Sequence, residues 1–371
     1  MSNRFLNITT NNGRADDHLY IERPPQIEMI RSMIRDAANP TTRHKAGWLD
    51  EQYDCADDLM VIRPANDWHS DTRNIQKPKM VFDNFWFENE LCVLFADTNV
   101  GKSILAVQLG NTIAAGGDVR GFQMQIPACP VIYFDFEQSG NQFEARYTLE
   151  RERFKFSPNF YRAELNAAAG DVRNYLDRVH ACIEEGVKKT KASVLIIDNL
   201  TYLANEAEKA RDAMVMMKFL KKLKSKYNLS ILALAHTPKR NTAKPITNND
   251  MQGSKMLVNF CDSVFAMGRS RKEPDMRYLK QIKQRNATEL YGEDRVCLLR
   301  IIRSGDGNIF MDHAGYDAEQ EHLDKEKYVS VTDKRHIADL NKEGLSCRKI
   351  AMQMGLSHTT VWRALSKMAE D

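Results

Sequence analysis

The run Leu91-Cys92-Val93-Leu94-Phe95-Ala96 is apolar throughout, and Asp97-Thr98-Asn99-Val100-Gly101-Lys102-Ser103 follows it at once, ahead of a helical stretch reaching Ala115. Six apolar residues without alternation read as a strand buried on both faces. A glycine, a lysine and a hydroxyl at the junction of such a strand with a helix demand a tight turn whose amides and helix N-terminus face one point. That is a cradle for phosphate oxygens, in which Lys102 reaches the β and γ phosphates and the Ser103 hydroxyl ligates Mg²⁺. Ala96, Asp97, Thr98, Asn99, Val100, Gly101, Lys102 and Ser103 together form the candidate site for ATP with Mg²⁺. Ala96 stands where the strict pattern has glycine, a small change that keeps the turn narrow.

Three further runs, PVIYFD (130–135), SVLIID (193–198) and LSILALA (229–235), are also apolar on both faces and predict buried strands. Helical patterns alternate with them at Ser103–Ala115, Asn141–Phe154, Asp171–Lys189 and Ala207–Tyr227. Such alternation predicts an α/β fold whose sheet is mostly parallel, with right-handed crossovers. CDSVFAM (261–267), RYLKQIK (277–283), VCLLRII (296–302) and NIFMD (308–312) have short connections and predict an antiparallel extension of that sheet.

Residues 1–79 are polar apart from one amphipathic stretch, Pro24–Ala38, where Ile27, Ile30, Met33 and Ile34 recur at helical spacing. The sequence predicts an N-terminal arm over 1–79, a core over 80–313, a charged linker over 314–330 and a small helical domain over 331–371.

A phosphate cradle binds but does not hydrolyse. In a parallel sheet, further catalytic groups belong at the carboxyl ends of neighbouring strands. Asp198 ends SVLIID and is placed to support the metal together with Ser103. Glu137, just past PVIYFD, could orient and deprotonate an attacking water. Asp135 is its rival, because residues 135 and 137 share one face of an extended strand. His236 closes the fourth run, where an imidazole could sense the γ phosphate.

The order of phosphate loop, Glu137, Asp198, His236, a polar loop and a basic pair in QIKQRNA resembles the RecA-like P-loop ATPase core. It is most similar to the RepA and DnaB-type hexameric helicases, over about two-thirds of the chain. The resemblance selects Glu137 as catalytic glutamate. It also implies that Lys283 and Arg285 reach the ATP of a neighbouring subunit, and that the chain is an ATPase, a DNA helicase and a homo-oligomer, a hexamer in this group.

The polar segment after His236 carries Lys239, Arg240, Lys244 and Lys255 and has the texture of a loop without core residues. RecA-like motors have a pore loop here, which implies sequence-blind contacts to single-stranded DNA in a central channel. Residues 331–371 read as three helices, with Ser346 and Ser357 as N-caps and Ile350, Ala351, Leu356, Val361 and Leu365 as a small core. Trp362 is expected in that core. LSCRKIAMQMGLSHTTVWRAL resembles the helix-turn-helix of resolvases, which implies duplex-DNA contacts from His358, Thr359, Thr360 and Arg363, with Arg348 and Lys349 near the backbone.

Lys+Arg 53 against Asp+Glu 50 leaves +3, which excludes charge-driven coating of a polyanion; any nucleic-acid site must be local. The tail is itself only mildly basic, seven cations against five acids, net +2. Seven scattered cysteines without a CxxC pair fit reduced thiols in a cytoplasmic protein. No run approaches the roughly 18 apolar residues of a membrane span. The expectation is an ATP-driven ring motor in the replication or mobilisation of a mobile element. The alternatives are an ATP-switched DNA-binding regulator of transcription or copy number, and a recombination mediator ATPase.

Overall fold

The runs that are apolar on both faces occupy the centre of one nine-stranded sheet. The computed structural model describes residues 64–72, 77–166, 168, 174–200, 209–251, 254–324, 331–356 and 358–370. The chain divides into two units, Met1–Gln76 and Lys77–Asp371. In the first, the described element is the helix α1 (Ala65–Thr72). The amphipathic stretch Pro24–Ala38 lies outside the described residues.

The second unit opens with a short hairpin of β1 (Met80–Phe82) and β2 (Trp86–Phe87). Then come β3 (Leu91–Ala96), α2 (Lys102–Ala115), β4 (Val131–Asp135), α3 (Gly140–Arg146), β5 (Thr148–Leu149), β6 (Glu152–Arg153) and β7 (Phe160–Glu164). They are followed by α4 (Tyr175–Thr190), β8 (Val194–Asp198), α5 (Lys209–Tyr227), β9 (Ser230–His236) and α6 (Ser254–Phe260). Strands β10 (Ser263–Arg269), β11 (Met276–Lys283), β12 (Val296–Arg303) and β13 (Ile309–Asp317) complete the sheet. Its order is β13-β12-β11-β10-β3-β9-β8-β4-β7, parallel from β10 to β7 and antiparallel from β10 to β13. This is the mostly parallel α/β sheet with antiparallel extension that the sequence predicts.

Strand parity sends Leu91, Val93 and Phe95 to one face, where α4 adds Ile183 and Val187 and α5 adds Met217 and Leu220. Cys92 and Leu94 go to the other face, against Leu105, Leu109 and Ile113 of α2. Those three recur every four residues and are buried, each contributing about 2 kcal/mol by removal from water. Gln108 on the same helix pairs with both backbone groups of Met311, Nε2 donating to O at 2.9 Å and Oε1 accepting from N at 2.8 Å. A side chain thus covers part of the edge strand β13 and fixes α2 to it.

Four expectations about organisation need correction. The helix expected over 141–154 stops at Arg146, and a β5–β6 hairpin follows, with Glu150 at φ 54° in the left-handed region. The turn lets Phe143, Tyr147, Phe154 and Phe156 converge in one aromatic cluster. Strand β7 carries Tyr161, Arg162 and Glu164 at the sheet edge and therefore lacks the apolar signature of the centre.

The stretch read as a linker is largely structured: β13 runs to Asp317, and a 3-10 turn, Glu319–His322, follows with both end residues buried. Its charge works inside the protein, since Glu319 Oε2 meets Lys280 Nζ at 2.5 Å. The segment after His236 is no free loop either, because Ile246 and Met251 are buried and Thr247 caps a 3-10 turn, Asn248–Asp250.

The tail forms α7 (Val331–Lys342), α8 (Cys347–Met354) and α9 (His358–Glu370) around Ile337, Leu340, Ile350, Ala351, Val361 and Ala364. Trp362 is not in that core but 56% exposed, because Val361 and Ala364 take the inward positions of α9 and leave 362 off their stripe. Ser346 holds the N-cap position of α8 without a capping hydrogen bond, and Ser357 lies outside the described residues.

Candidate nucleotide-hydrolysis site

The turn between β3 and α2 needs two left-handed residues, Asn99 at φ 58° and Gly101 at φ 114°. Gly101 also packs so close to β13 that a Cβ there would lie 2.6 Å from the Met311 methyl. Two arginines sequence reasoning missed brace this turn from β10 and β11. Arg277 Nε donates to the Val100 carbonyl at 2.6 Å, and Arg269 Nη2 donates to the Asn99 carbonyl at 2.9 Å. Thr98 to Ile104 then line a cavity of about 800 Å³, counted with its open mouth, together with Glu137, Gln138, Arg146, His236 and Ile301.

Lys102 is 5% exposed, and its ammonium donates to the carbonyls of Ala96 and Asp97, each at 3.0 Å. Burial lowers its pKa, while Asp198, Glu137 and Asp97 pull it back up. The third partner is His236 Nδ1 at 3.1 Å. Because an ammonium can only donate, Nδ1 is the accepting nitrogen and the ring proton sits on Nε2. Nε2 in turn donates to Glu137 Oε1 at 2.7 Å. The Asn199 amide donates to the same oxygen.

Glu137 therefore stands between two donors at the mouth of the cavity, and the His236 bond, the largest influence, holds its pKa below the usual carboxylate range. Asp135 is engaged elsewhere. Its Oδ2 is paired with Arg162 at 2.9 Å, and its Oδ1 accepts from the amides of Glu137 and Gln138 at 3.2 and 2.9 Å. It shapes the turn that carries Glu137 and leaves the cavity to it.

Asp198 is fully buried, and burial pushes its carboxyl up to about 6, against the opposing pull of the Ser103 and Tyr133 hydroxyls. Tyr133 Oη donates to Oδ2 at 2.7 Å. Oδ1 is buried without a hydrogen-bond partner of ordinary geometry. An orphaned carboxylate oxygen beside the Ser103 hydroxyl fits Mg²⁺, a hard cation that takes few protein oxygens and keeps its waters and the substrate's phosphates. Ser103 and Asp198 are the residues that would hold it.

Lys283 and Arg285 are not brought to this cavity. In the sheet register Lys283 pairs with Val264, which pairs with Val93, whereas the phosphate loop leaves the far end of β3. Lys283 Nζ donates to the carbonyls of Val258 and Cys261 at 2.7 and 2.8 Å, so it is used at the end of α6 in its own chain. Arg285 is 51% exposed, with Asp262 at 3.4 Å.

Lys239 and Lys244 are exposed, whereas the Arg240 side chain is only 8% exposed and turned toward Asp97. Burial removes Arg240 from the surface contacts expected of it. Lys255 lies on α6 and Arg363 on α9, and their side chains are outside the described set. In the tail Arg348, Lys349, His358 and Thr359 are exposed, and Thr360 is half-buried.

Asn199 and Tyr133 were also missed. Asn199 follows a strand-terminal acid, the one local signal available. Arg146 was missed because α3 was read as a longer helix; its end at Arg146 turns that side chain into the cavity.

A family model described as an AAA domain matches residues 55–242, just over half of the chain, and the chain belongs to that family. The fold and the match together define a P-loop ATPase domain, which supports nucleotide binding and nucleotide hydrolysis. No curated protein is similar enough to the chain to count as a match. Among the described residues no helix is long and apolar enough to cross a membrane.

Proposed function

We propose that the protein is an ATP-hydrolysing, ring-forming DNA motor of the RepA/DnaB-like helicase type with a DNA-binding tail. The observation that carries this reading is Glu137, held by His236 and Asn199 at the mouth of the cavity that Lys102 and Ser103 line. A carboxylate kept ionised there can accept the proton of the attacking water. Lys102 offsets charge on the phosphoryl oxygens, and Arg146 adds a cation from the same chain. Mg²⁺, when bound by Ser103 and Asp198, supplies further charge neutralisation on the phosphates.

Arg285 supports assembly. It follows β11, toward the end of the strands opposite to the one its own phosphate loop leaves, so a contact with nucleotide would be with that of another subunit. The exposed Lys239 and Lys244 supply the sequence-blind contacts to single-stranded DNA in the channel, and the tail supplies the duplex contacts through His358, Thr359 and Arg363. A hexamer repeats each of these groups around the channel, which offsets the modest charge of one chain.

The test is ATP turnover by the full chain with and without single-stranded DNA, together with strand displacement. Strong stimulation and displacement support the motor. The tail, with a core of its own, is equally compatible with a second reading, a nucleotide-switched regulator. That reading gains if turnover is slow, DNA leaves it unchanged and duplex binding is sequence-selective.

A further inference from the structure

Arg240 and Asp97 form a pair beside the phosphate cradle that the motif does not explain. Asp97 is the second residue of the loop, and its carbonyl accepts from the Lys102 ammonium at 3.0 Å. Its carboxylate favours the charged form of Lys102, so it draws on the charge that a triphosphate requires. An acid here also repels a polyanionic ligand. Two groups from the segment after β9 answer it: the Thr237 hydroxyl donates to Oδ1, and Arg240 Nε lies 3.5 Å from Oδ2.

Arg240 is held in place from several directions. Its Nη1 donates to the Lys244 carbonyl at 3.0 Å and the Asn241 carbonyl at 3.4 Å. Farther along, the Ile246 amide donates to Glu319 Oε1 at 2.8 Å, Lys280 Nζ donates to the Ile246 carbonyl at 3.0 Å, and Thr242 is bonded to Asp324. The segment is thus pinned to the phosphate loop at one end and to the strands beyond it at the other. The side chains of Lys239 and Lys244, by contrast, are exposed.

The geometry points to Arg240 as a positioning residue for nucleotide binding, which neutralises Asp97 and so keeps the phosphate loop compatible with a triphosphate. It acts through Asp97 and makes no contact with nucleic acid. This inference rests on the reading of the cavity as a nucleotide site.

The test uses the full chain, with ADP binding, steady-state ATP turnover and binding of a single-stranded oligonucleotide. Arg240→Gln is expected to weaken ADP binding and raise the KM for ATP by about threefold to tenfold, with kcat and oligonucleotide affinity within about twofold of the wild type. Adding Asp97→Asn to Arg240→Gln is expected to restore nucleotide affinity to within about twofold, a coupling that general loss of packing would not produce. Unchanged nucleotide affinity in Arg240→Gln overturns the proposal, as does failure of the double substitution to restore it. Loss of oligonucleotide binding with nucleotide affinity intact also overturns it. Should Arg240→Gln not fold, Asp97→Asn alone decides: nucleotide binding at least as tight as wild type supports the proposal, and weaker binding overturns it. Failure of the wild type to bind ADP or ATP overturns the site reading and this inference with it.

Discussion

Lys102 Nζ lies 3.1 Å from His236 Nδ1, on the side of the imidazole opposite the nitrogen that meets Glu137 at 2.7 Å. One imidazole therefore joins the Lys102 ammonium to the Glu137 carboxylate. A single side chain thus separates Lys102 from Glu137.

Glu137→Gln retains the size and one accepting oxygen but cannot take a proton. ATP turnover is expected to fall about 10²- to 10⁴-fold, the range for loss of a general base, with ADP affinity within about threefold of the wild type. Single-turnover hydrolysis and equilibrium binding on one preparation check this. Turnover at the native rate would assign the base elsewhere.

His236→Ala removes the strongest influence that lowers the Glu137 pKa. The folded-state pKa then moves up toward the ordinary carboxylate value. With Glu137 as the proposed base, the acid limb of kcat is expected to shift to higher pH in the variant. A pH–rate profile at saturating ATP reads this directly, and an unmoved limb would separate His236 from Glu137.

How far the site was legible follows from what holds each part. The phosphate loop and Asp198 stand at ends of strands that are apolar on both faces, so a local pattern located them. Glu137 and Asp135 could not be told apart by strand parity. The difference between them is Arg162, twenty-seven positions from Asp135, whose pairing becomes visible only once β7 lies beside β4. Arg240 misled for a related reason. A basic residue among Asn, Thr and Pro has the composition of an exposed loop, and its burial depends on Asp97, 143 positions back, and on strands later in the chain. Trp362 reads as core by spacing from Leu365, but three-dimensional packing gives the inward positions to Val361 and Ala364.

Asp198 makes stability depend on pH in a direction unusual for an acid. Its folded pKa is raised to about 6 from an ordinary 3.8, so the folded state binds the proton more tightly than the unfolded chain. The contribution to stability is full at pH below about 4 and is lost as pH rises through about 6. For the metal-free protein, the unfolding free energy of wild type minus that of Asp198→Asn is expected to fall by about 2–3 kcal/mol between pH 4 and 7. Denaturant titrations of both proteins across that interval provide the difference, and a flat difference would contradict the burial penalty.

Arg285→Ala tests action between subunits. The side chain is exposed and lies away from its own phosphate loop, so the substitution is expected to leave ADP binding within about twofold and cut turnover about 10³-fold or more, as for arginines supplied in trans. Mixing variant with wild-type chains should lower activity faster than the wild-type fraction falls. A linear dependence on that fraction would show that each chain works alone.

The ion pair of Lys280 and Glu319 joins β11 to the turn after β13 where a charged linker was expected. Their side chains are 8% and 0% exposed, and Glu319 also accepts from the Ile246 amide and the Tyr278 hydroxyl. Replacing Lys280 alone by Met leaves a carboxylate buried without its cation, a loss of about 3–5 kcal/mol. Replacing both, as Lys280→Met with Glu319→Gln, removes the charge and leaves an amide oxygen for Ile246, so most of that loss should be recovered. The midpoint of chemical unfolding, at unchanged slope, measures each. If the double variant is as unstable as the single one, the stabilisation comes from the packing of these side chains and not from their charges.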